Sequence, residues 1–126
     1  MLNAESCYYV ANISSASTWK NSRRFYQNWG ADLAVIKSED ENRFLYDLLK
    51  NTTGNRAGWI GLRRRDDGKF HWLDDRLAYG SYQNWNVGEP NNNGGNEKCG
   101  DLVVNGKWND IPCKSSWPVA ICQWPI

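Results

Sequence analysis

The spacing of apolar positions changes character once along the chain, at about Gly54. Before it, two stretches carry helical periodicity. From about Thr18 to Asn28, Trp19, Phe25, Tyr26 and Trp29 recur at separations compatible with one helix face, with Ser17 as N-cap and Gly30 as the stop. Ser38-Glu39-Asp40-Glu41 is a capping box, and the helix it opens is expected over about Glu39 to Leu49, burying Phe44, Leu45, Leu48 and Leu49. Cys7-Tyr8-Tyr9-Val10-Ala11 and Leu33-Ala34-Val35-Ile36 have the composition of strands.

After Gly54 the helical signal stops, and no helix of three or more turns is expected beyond residue 60. Trp59-Ile60-Gly61-Leu62 and Phe70-His71-Trp72-Leu73 are predicted strands around a turn at Asp67-Gly68. From Tyr79 to Gly100 the chain is dominated by Asn, Gly, Ser and Pro, and a loop of that length in a compact domain is usually functional or disordered. Strands are expected again at Asp101–Val104, Lys107–Trp108 and Val119–Cys122. The class is therefore α+β, in one domain spanning residues 1–126.

Composition narrows the partners. The formal net charge of +1 gives no reason to expect nucleic acid, and no apolar run approaches the ~20 residues of a membrane span. Met1-Leu2-Asn3-Ala4-Glu5 is not a signal peptide, so secretion would require a signal removed upstream of Met1. The eight tryptophans are expected mostly in the core, sugar stacking being the rarer use. Arg63-Arg64-Arg65 is taken as a solvated loop rather than a patch for anionic glycans, and His71, the one histidine, as structural. Cys7, Cys99, Cys113 and Cys122 contain no C-x-x-C pair, and an even number in a loop-rich chain favours disulfides and an oxidising, secreted or extracellular setting.

The chemistry concentrates between residues 89 and 110. Glu89, Asn91, Glu97, Asn109 and Asp110 supply five side-chain oxygen donors, and Asp110 can add its backbone carbonyl. Calcium is a hard cation that takes six to eight oxygens from such groups, and three negative charges neutralise it well. Glu89 and Glu97 could also be imagined as a glycosidase pair. Against this, amides flank both, and the loop is expected to be too polar to raise either pKa by desolvation, so no catalytic residue is assigned.

Glu89-Pro90-Asn91, Trp108-Asn109-Asp110 and Trp59-Ile60-Gly61-Leu62, in this order and spacing with Glu97 two residues before Cys99, resemble the motifs of mannose-type C-type lectins from about Cys7 to Ile126. The resemblance implies a C-type lectin-like fold: two helices, short antiparallel strands and a long calcium-binding loop region. It implies a calcium ion held by Glu89, Asn91, Glu97, Asn109 and Asp110, with Pro90 cis. The implied ligands are glycans with equatorial vicinal 3- and 4-hydroxyls (mannose, N-acetylglucosamine, glucose or fucose-type) or cell-surface polysaccharides. The hydroxyls would coordinate the ion directly and be contacted by Glu89, Asn91, Asn93, Glu97 and Asn109. The alternative it leaves is a calcium-independent, lectin-like protein-binding module.

Two departures from the family pattern matter. Tyr26 stands where many members carry a cysteine, so the usual partner of Cys122 is missing; Cys7 also lacks an upstream partner. A Cys7–Cys122 bridge is expected, the alternatives being a free Cys7 or one bonded to another subunit in a homo-oligomer. Cys99 and Cys113, enclosing 13 residues, are expected to be bridged. Secondly, Arg63-Arg64-Arg65 and Lys98 occupy regions that supply acidic ligands to a second ion in some members, so a second ion is expected to be absent or weak.

Overall fold

The structure is a computed structural model that describes residues 7–124; Met1–Ser6, with the start segment, and Pro125-Ile126, the end of the resemblance, lie outside them. Elements follow in the order β1 (Cys7–Val10), α1 (Trp19–Gln27), β2 (Asp32–Leu33), α2 (Glu39–Thr53), β3 (Gly58–Arg64), β4 (Phe70–Trp72), β5 (Cys99–Leu102), β6 (Trp108–Ile111) and β7 (Val119–Trp124). The strands form a sheet in the order β1-β7-β3-β5-β6, with β2 on β7 and β4 on β3. The β3–β7 pairing is parallel and the others are antiparallel. This is the predicted α+β class, and the only helical turn after β3 among the described residues is the short Asn93–Gly95.

Both helices begin with a side chain that accepts a free backbone N–H. Ser38 Oγ accepts from Glu41 N at 3.1 Å, as the capping box predicts, although Glu41 Oε1 returns to Lys37 N rather than to Ser38. For α1 the cap is Thr18, one residue later than expected, accepting from Asn21 N. Gly54, at φ +83°, ends α2 after Thr53, so the helix runs one turn beyond the predicted Leu49.

The α1 face is narrower than the spacing suggested. Trp19 and Ser22 are buried, Tyr26 is half-buried, and Phe25 and Trp29 are 55% and 75% exposed. On α2, Leu45 and Leu49 are buried together with the polar Asn42, while Phe44 and Leu48 are half-buried. Ala34, Val35 and Ile36 are buried but leave the strand after Leu33; Ala34 N donates to Ile121 O and Val35 N to the side-chain carbonyl of Gln123.

Trp59, Trp72 and Trp108 are fully buried. Trp108 is flanked edge-on by Trp72, Tyr82 and Trp85, with ring centroids 5.2, 5.7 and 5.6 Å away. Its indole N–H donates to Asn42 Oδ1 at 2.7 Å, and Asn42 Nδ2 donates to Gly106 O at 2.9 Å. Asn42 thereby ties α2 to the hairpin that presents β6. Below β3, Gly100 leaves no room for a side chain, since a Cβ there would sit 2.8 Å from Leu62 Cβ.

Cys99 and Cys113 are disulfide-bonded. The Cys7–Cys122 bridge does not form, and both cysteines are free. Register explains why: Cys7 pairs with Trp124 and Tyr9 with Cys122, so the two thiols are diagonal neighbours on one face of the β1–β7 ladder. Diagonal positions lie ~7–8 Å apart, beyond the usual disulfide span. Tyr26, at the position lacking the family cysteine, packs against Tyr9 instead, the rings tilted by 52° with centroids 6.1 Å apart.

Two measurements check this packing. Native protein without reductant should titrate one thiol, Cys7, and a second only after denaturation. Burial keeps Cys122 inaccessible and pushes its thiol up to about 12. No titratable thiol in either state would mean that the two are bridged. Asn42→Ala leaves the buried Trp108 Nε1 without its partner, while Gly106 O keeps the bond from Asn84 Nδ2, and should cost about 1–3 kcal/mol in urea unfolding; a loss below ~0.5 kcal/mol would contradict the network described.

Candidate metal and ligand site

β6 places the site's most buried acid. Along Trp108–Ile111 side chains alternate between the two faces, so Trp108 and Asp110 both point inward and are buried while Asn109 is half-buried. The Asp110 side chain is fully buried and accepts three hydrogen bonds. Oδ1 takes the N–H of Asn91 at 3.0 Å; Oδ2 takes the N–H of Asn92 at 2.7 Å and Arg64 Nη2 at 3.2 Å. Consecutive amides can aim at one carboxylate because Asn92 turns the backbone into the left-handed region, at φ 48°, which Asn tolerates better than most residues.

The loop between Trp85 and Cys99 is fastened at both ends. Asn86 N donates to Trp108 O and Trp108 N to Asn84 O, so this segment runs beside β6. The Glu89-Pro90 bond is cis, as the resemblance implies. Beyond it, Glu97 N donates to Asn92 Oδ1 and Asn93 N donates to Glu97 Oε1 at 2.9 Å and to Asn91 Oδ1 at 3.1 Å. The loop folds back on itself and brings Glu97 to Asp110.

Of the residues assigned from the sequence, Glu89, Glu97 and Asp110 come together, each offering one oxygen within 4.8 Å of the others. Asn91 adjoins them through a 3.4 Å bond from Nδ2 to Glu89 Oε2, and Asn93 through its backbone N–H to Glu97. Asn109 is next to Asp110 in β6 but makes no direct bond to the carboxylates; its Oδ1 accepts from Asn86 Nδ2 at 2.8 Å, which leaves that oxygen a second lone pair.

Crowding these acids has an electrostatic cost. Glu89 is pushed up to about 7, first by burial and then by the neighbouring Asp110 carboxylate, with which only a protonated Glu89 could share a hydrogen bond, and by the charge of Glu97. This corrects the expectation that the polar loop could not desolvate it. Asp101 on β5 is pushed to about 8 by burial, with the charges of Glu89, Asp110 and Glu97 adding to it. It is buried, and its Oδ1 has no hydrogen-bond partner. Convergent oxygens, mutual repulsion and nearby amide carbonyls make a donor set that fits a hard divalent cation. Glu89, Glu97 and Asp110 would hold it with Asn91 and Asn109.

Three contributors escaped the sequence reading. Arg64 belongs by sequence to a charged run expected to be solvated, yet its side chain is only 17% exposed and lies against the site. The signal was in the strand period: β3 extends to Arg64, two residues past Leu62 and on the same side. Asn86 and Asn92, which anchor Asn109 and Glu97, sit among many loop asparagines and carry no distinguishing pattern.

Residues 15–124 match the family model described as "Lectin C-type domain". The chain is 39% identical over 124 residues to C-type lectin domain family 4 member M of Symphalangus syndactylus, covering 95% of this chain and 27% of the relative. It is 41% identical over 109 residues to CD209 antigen of Papio hamadryas, covering 85% of this chain and 29% of the relative. It thus spans under a third of the length of these two relatives. Among solved structures, the cow C-type carbohydrate-recognition domain of CD23, determined in the presence of GlcNAc2Man3 oligosaccharide, superposes with a TM-score of 0.83 at 34% identity, covering 98% of this chain and 90% of that one. The chain belongs to the C-type lectin domain family, a family of binding modules rather than enzymes.

The raised carboxyls set a pH dependence with a definite sign. A carboxyl whose folded pKa lies above its unfolded value favours folding while protonated, and that contribution is lost as pH rises through the folded pKa. For Glu89 and Asp101 the window runs from ~4 in the unfolded chain up to about 7 and about 8. In EDTA the protein should therefore melt at a higher temperature at pH 5.5 than at pH 8, and Glu89→Gln should shrink the difference. A melting temperature that rises across this interval would contradict the assignment.

Proposed function

We propose that this domain binds calcium through Glu89, Asn91, Glu97, Asn109 and Asp110, and through the ion a glycan bearing equatorial vicinal 3- and 4-hydroxyls. The observation that carries the reading is the convergence of Glu89, Glu97 and Asp110 oxygens within 4.8 Å, at a solvent-facing loop, with the amide of Asn91 on Glu89. A bound calcium ion would give two neighbouring hydroxyls a common electrostatic anchor. The protein's part is to present acceptors and donors in a fixed order around them. Glu89 and Glu97, ionised, accept only; Asn91 and Asn109 can donate through their NH₂ groups while turning a carbonyl inward. Asn93 stands at the rim, exposed, next to Asn91.

The Glu89-Pro90-Asn91 order is that of mannose-type relatives, and the oligosaccharide named with the cow CD23 domain contains mannose and N-acetylglucosamine. The ligand class we assign is accordingly mannose-type glycans or cell-surface polysaccharides. The Cys99–Cys113 bond supports a secreted or extracellular location, where disulfides persist.

A glycan array run with calcium and again with EDTA tests the reading. Mannose, N-acetylglucosamine, glucose and fucose-type glycans should be retained only with calcium; binding that survives EDTA would instead favour a calcium-independent protein-binding module. The double change Glu89→Gln with Asn91→Asp keeps five oxygen ligands and the same charge but reverses acceptor and donor. It should cut mannose affinity roughly fivefold to hundredfold, the equivalent of ~1–3 kcal/mol for a mismatched hydroxyl. Calorimetry showing unchanged mannose affinity with calcium still bound would remove these two residues from specificity.

A further inference from the structure

Among the described residues, Arg64 is the one basic side chain that hydrogen-bonds or ion-pairs within the carboxylate cluster. Arg63 lies over the Trp19 ring, Arg65 pairs with Asp75, and Lys69 and Lys98 are exposed. The Arg64 guanidinium is fixed from every side. Nη2 donates to Asp110 Oδ2 at 3.2 Å, Nε to the Glu97 carbonyl at 3.4 Å and Nη1 to the Gly68 carbonyl at 2.9 Å. Its face covers Phe70, 4.7 Å from the ring centroid. Its own backbone N–H is held by Lys98 O at 2.8 Å, so both main chain and side chain bind the segment that carries Glu97.

We infer that Arg64 is a resident positive charge of this site, a positioning residue that holds Asp110 and the Glu97 segment in place without an ion and lowers the site's affinity for one. The inference rests on the calcium reading above. The charges support it. Glu89, Glu97 and Asp110 ionised carry −3, and Arg64 brings the set to −2, which one divalent ion neutralises. The two roles oppose each other when calcium binds. A fixed guanidinium on the carboxylate that serves the ion repels a doubly charged cation, and this repulsion acts at short range in a partly desolvated site. Removing it would also loosen the loop, but the Asn91 and Asn92 N–H bonds to Asp110 remain, so the repulsion should dominate.

The test compares wild type with Arg64→Met, which keeps a long apolar stem against Phe70, and Arg64→Lys, which keeps the charge. Melting temperatures are measured in EDTA and in excess calcium, with the calcium dissociation constant from calorimetry. In EDTA, Arg64→Met should melt roughly 5–15 °C lower, because a buried carboxylate loses its counter-charge. Its calcium-induced rise should exceed that of wild type, and its calcium affinity should increase on the order of tenfold. Arg64→Lys should keep a wild-type calcium-induced rise despite fewer hydrogen bonds. A purely structural arginine would lower both melting temperatures equally, leaving the rise and the affinity unchanged. That outcome, or weaker calcium binding in Arg64→Met, overturns the inference. Should Arg64→Met fold only with calcium, the ion is replacing the arginine, which supports it. Should it fold in neither condition, Arg64→Gln, which removes the charge but keeps a hydrogen-bonding side chain, decides: a larger rise than wild type supports the inference, and an unchanged or smaller rise overturns it. A wild type without any calcium response would sink the calcium reading itself, whereas a normal response unchanged in Arg64→Met sinks this inference alone.

Discussion

The Asp110 carboxylate joins the rigid half of the molecule to the irregular half. It projects from β6, one turn of the strand period after the fully buried Trp108, and so shares that residue's fixed position. From there it accepts from two consecutive amides of the 89–97 loop and from Arg64 of β3. A loop rich in Asn and Gly has little apolar surface with which to hold itself to a core. Here one buried carboxylate supplies the anchor, and the hydrogen bonds among Asn91, Asn92, Asn93 and Glu97 build outward from it. Burying such a charge is costly unless it is paired and hydrogen-bonded, and three donors meet that requirement.

The same placement concentrates negative charge. Glu89 and Asp101 bear the consequence, both pushed well above the ordinary carboxylate range, first by burial. A fold under selection for stability alone would dilute these acids. Their convergence beside amide carbonyls, at the rim of a C-type lectin domain, is what a cation-dependent ligand site requires before any ligand arrives.

Much of this was legible in the chain. The Ser38–Glu41 box marks α2, and the turn at Asp67-Gly68 joins β3 to β4. Glu89, Glu97 and Asp110 announce themselves as hard oxygen donors, and strand alternation explains why Asp110 turns in with Trp108. What failed did so for identifiable reasons. Phe25 falls on the flank of the α1 face defined by Trp19, Ser22 and Tyr26, which a loose spacing rule cannot separate from its centre, and Trp29 lies beyond the helix, which ends at Gln27. The Cys7–Cys122 pairing depended on a register that nothing local specifies; an offset of two residues turned facing thiols into diagonal ones. Arg64 was hidden in a run of three arginines, though the extension of β3 by two residues would have singled it out.

The central claim is that these acids form a site for calcium, and direct titration of the ion tests it most simply. Calorimetric titration of calcium into metal-free protein at pH 7.5 should show one ion bound per chain, and Asp110→Asn, folded as judged by circular dichroism, should abolish that binding. Absence of binding to the wild type, or binding undiminished in Asp110→Asn, would contradict the account.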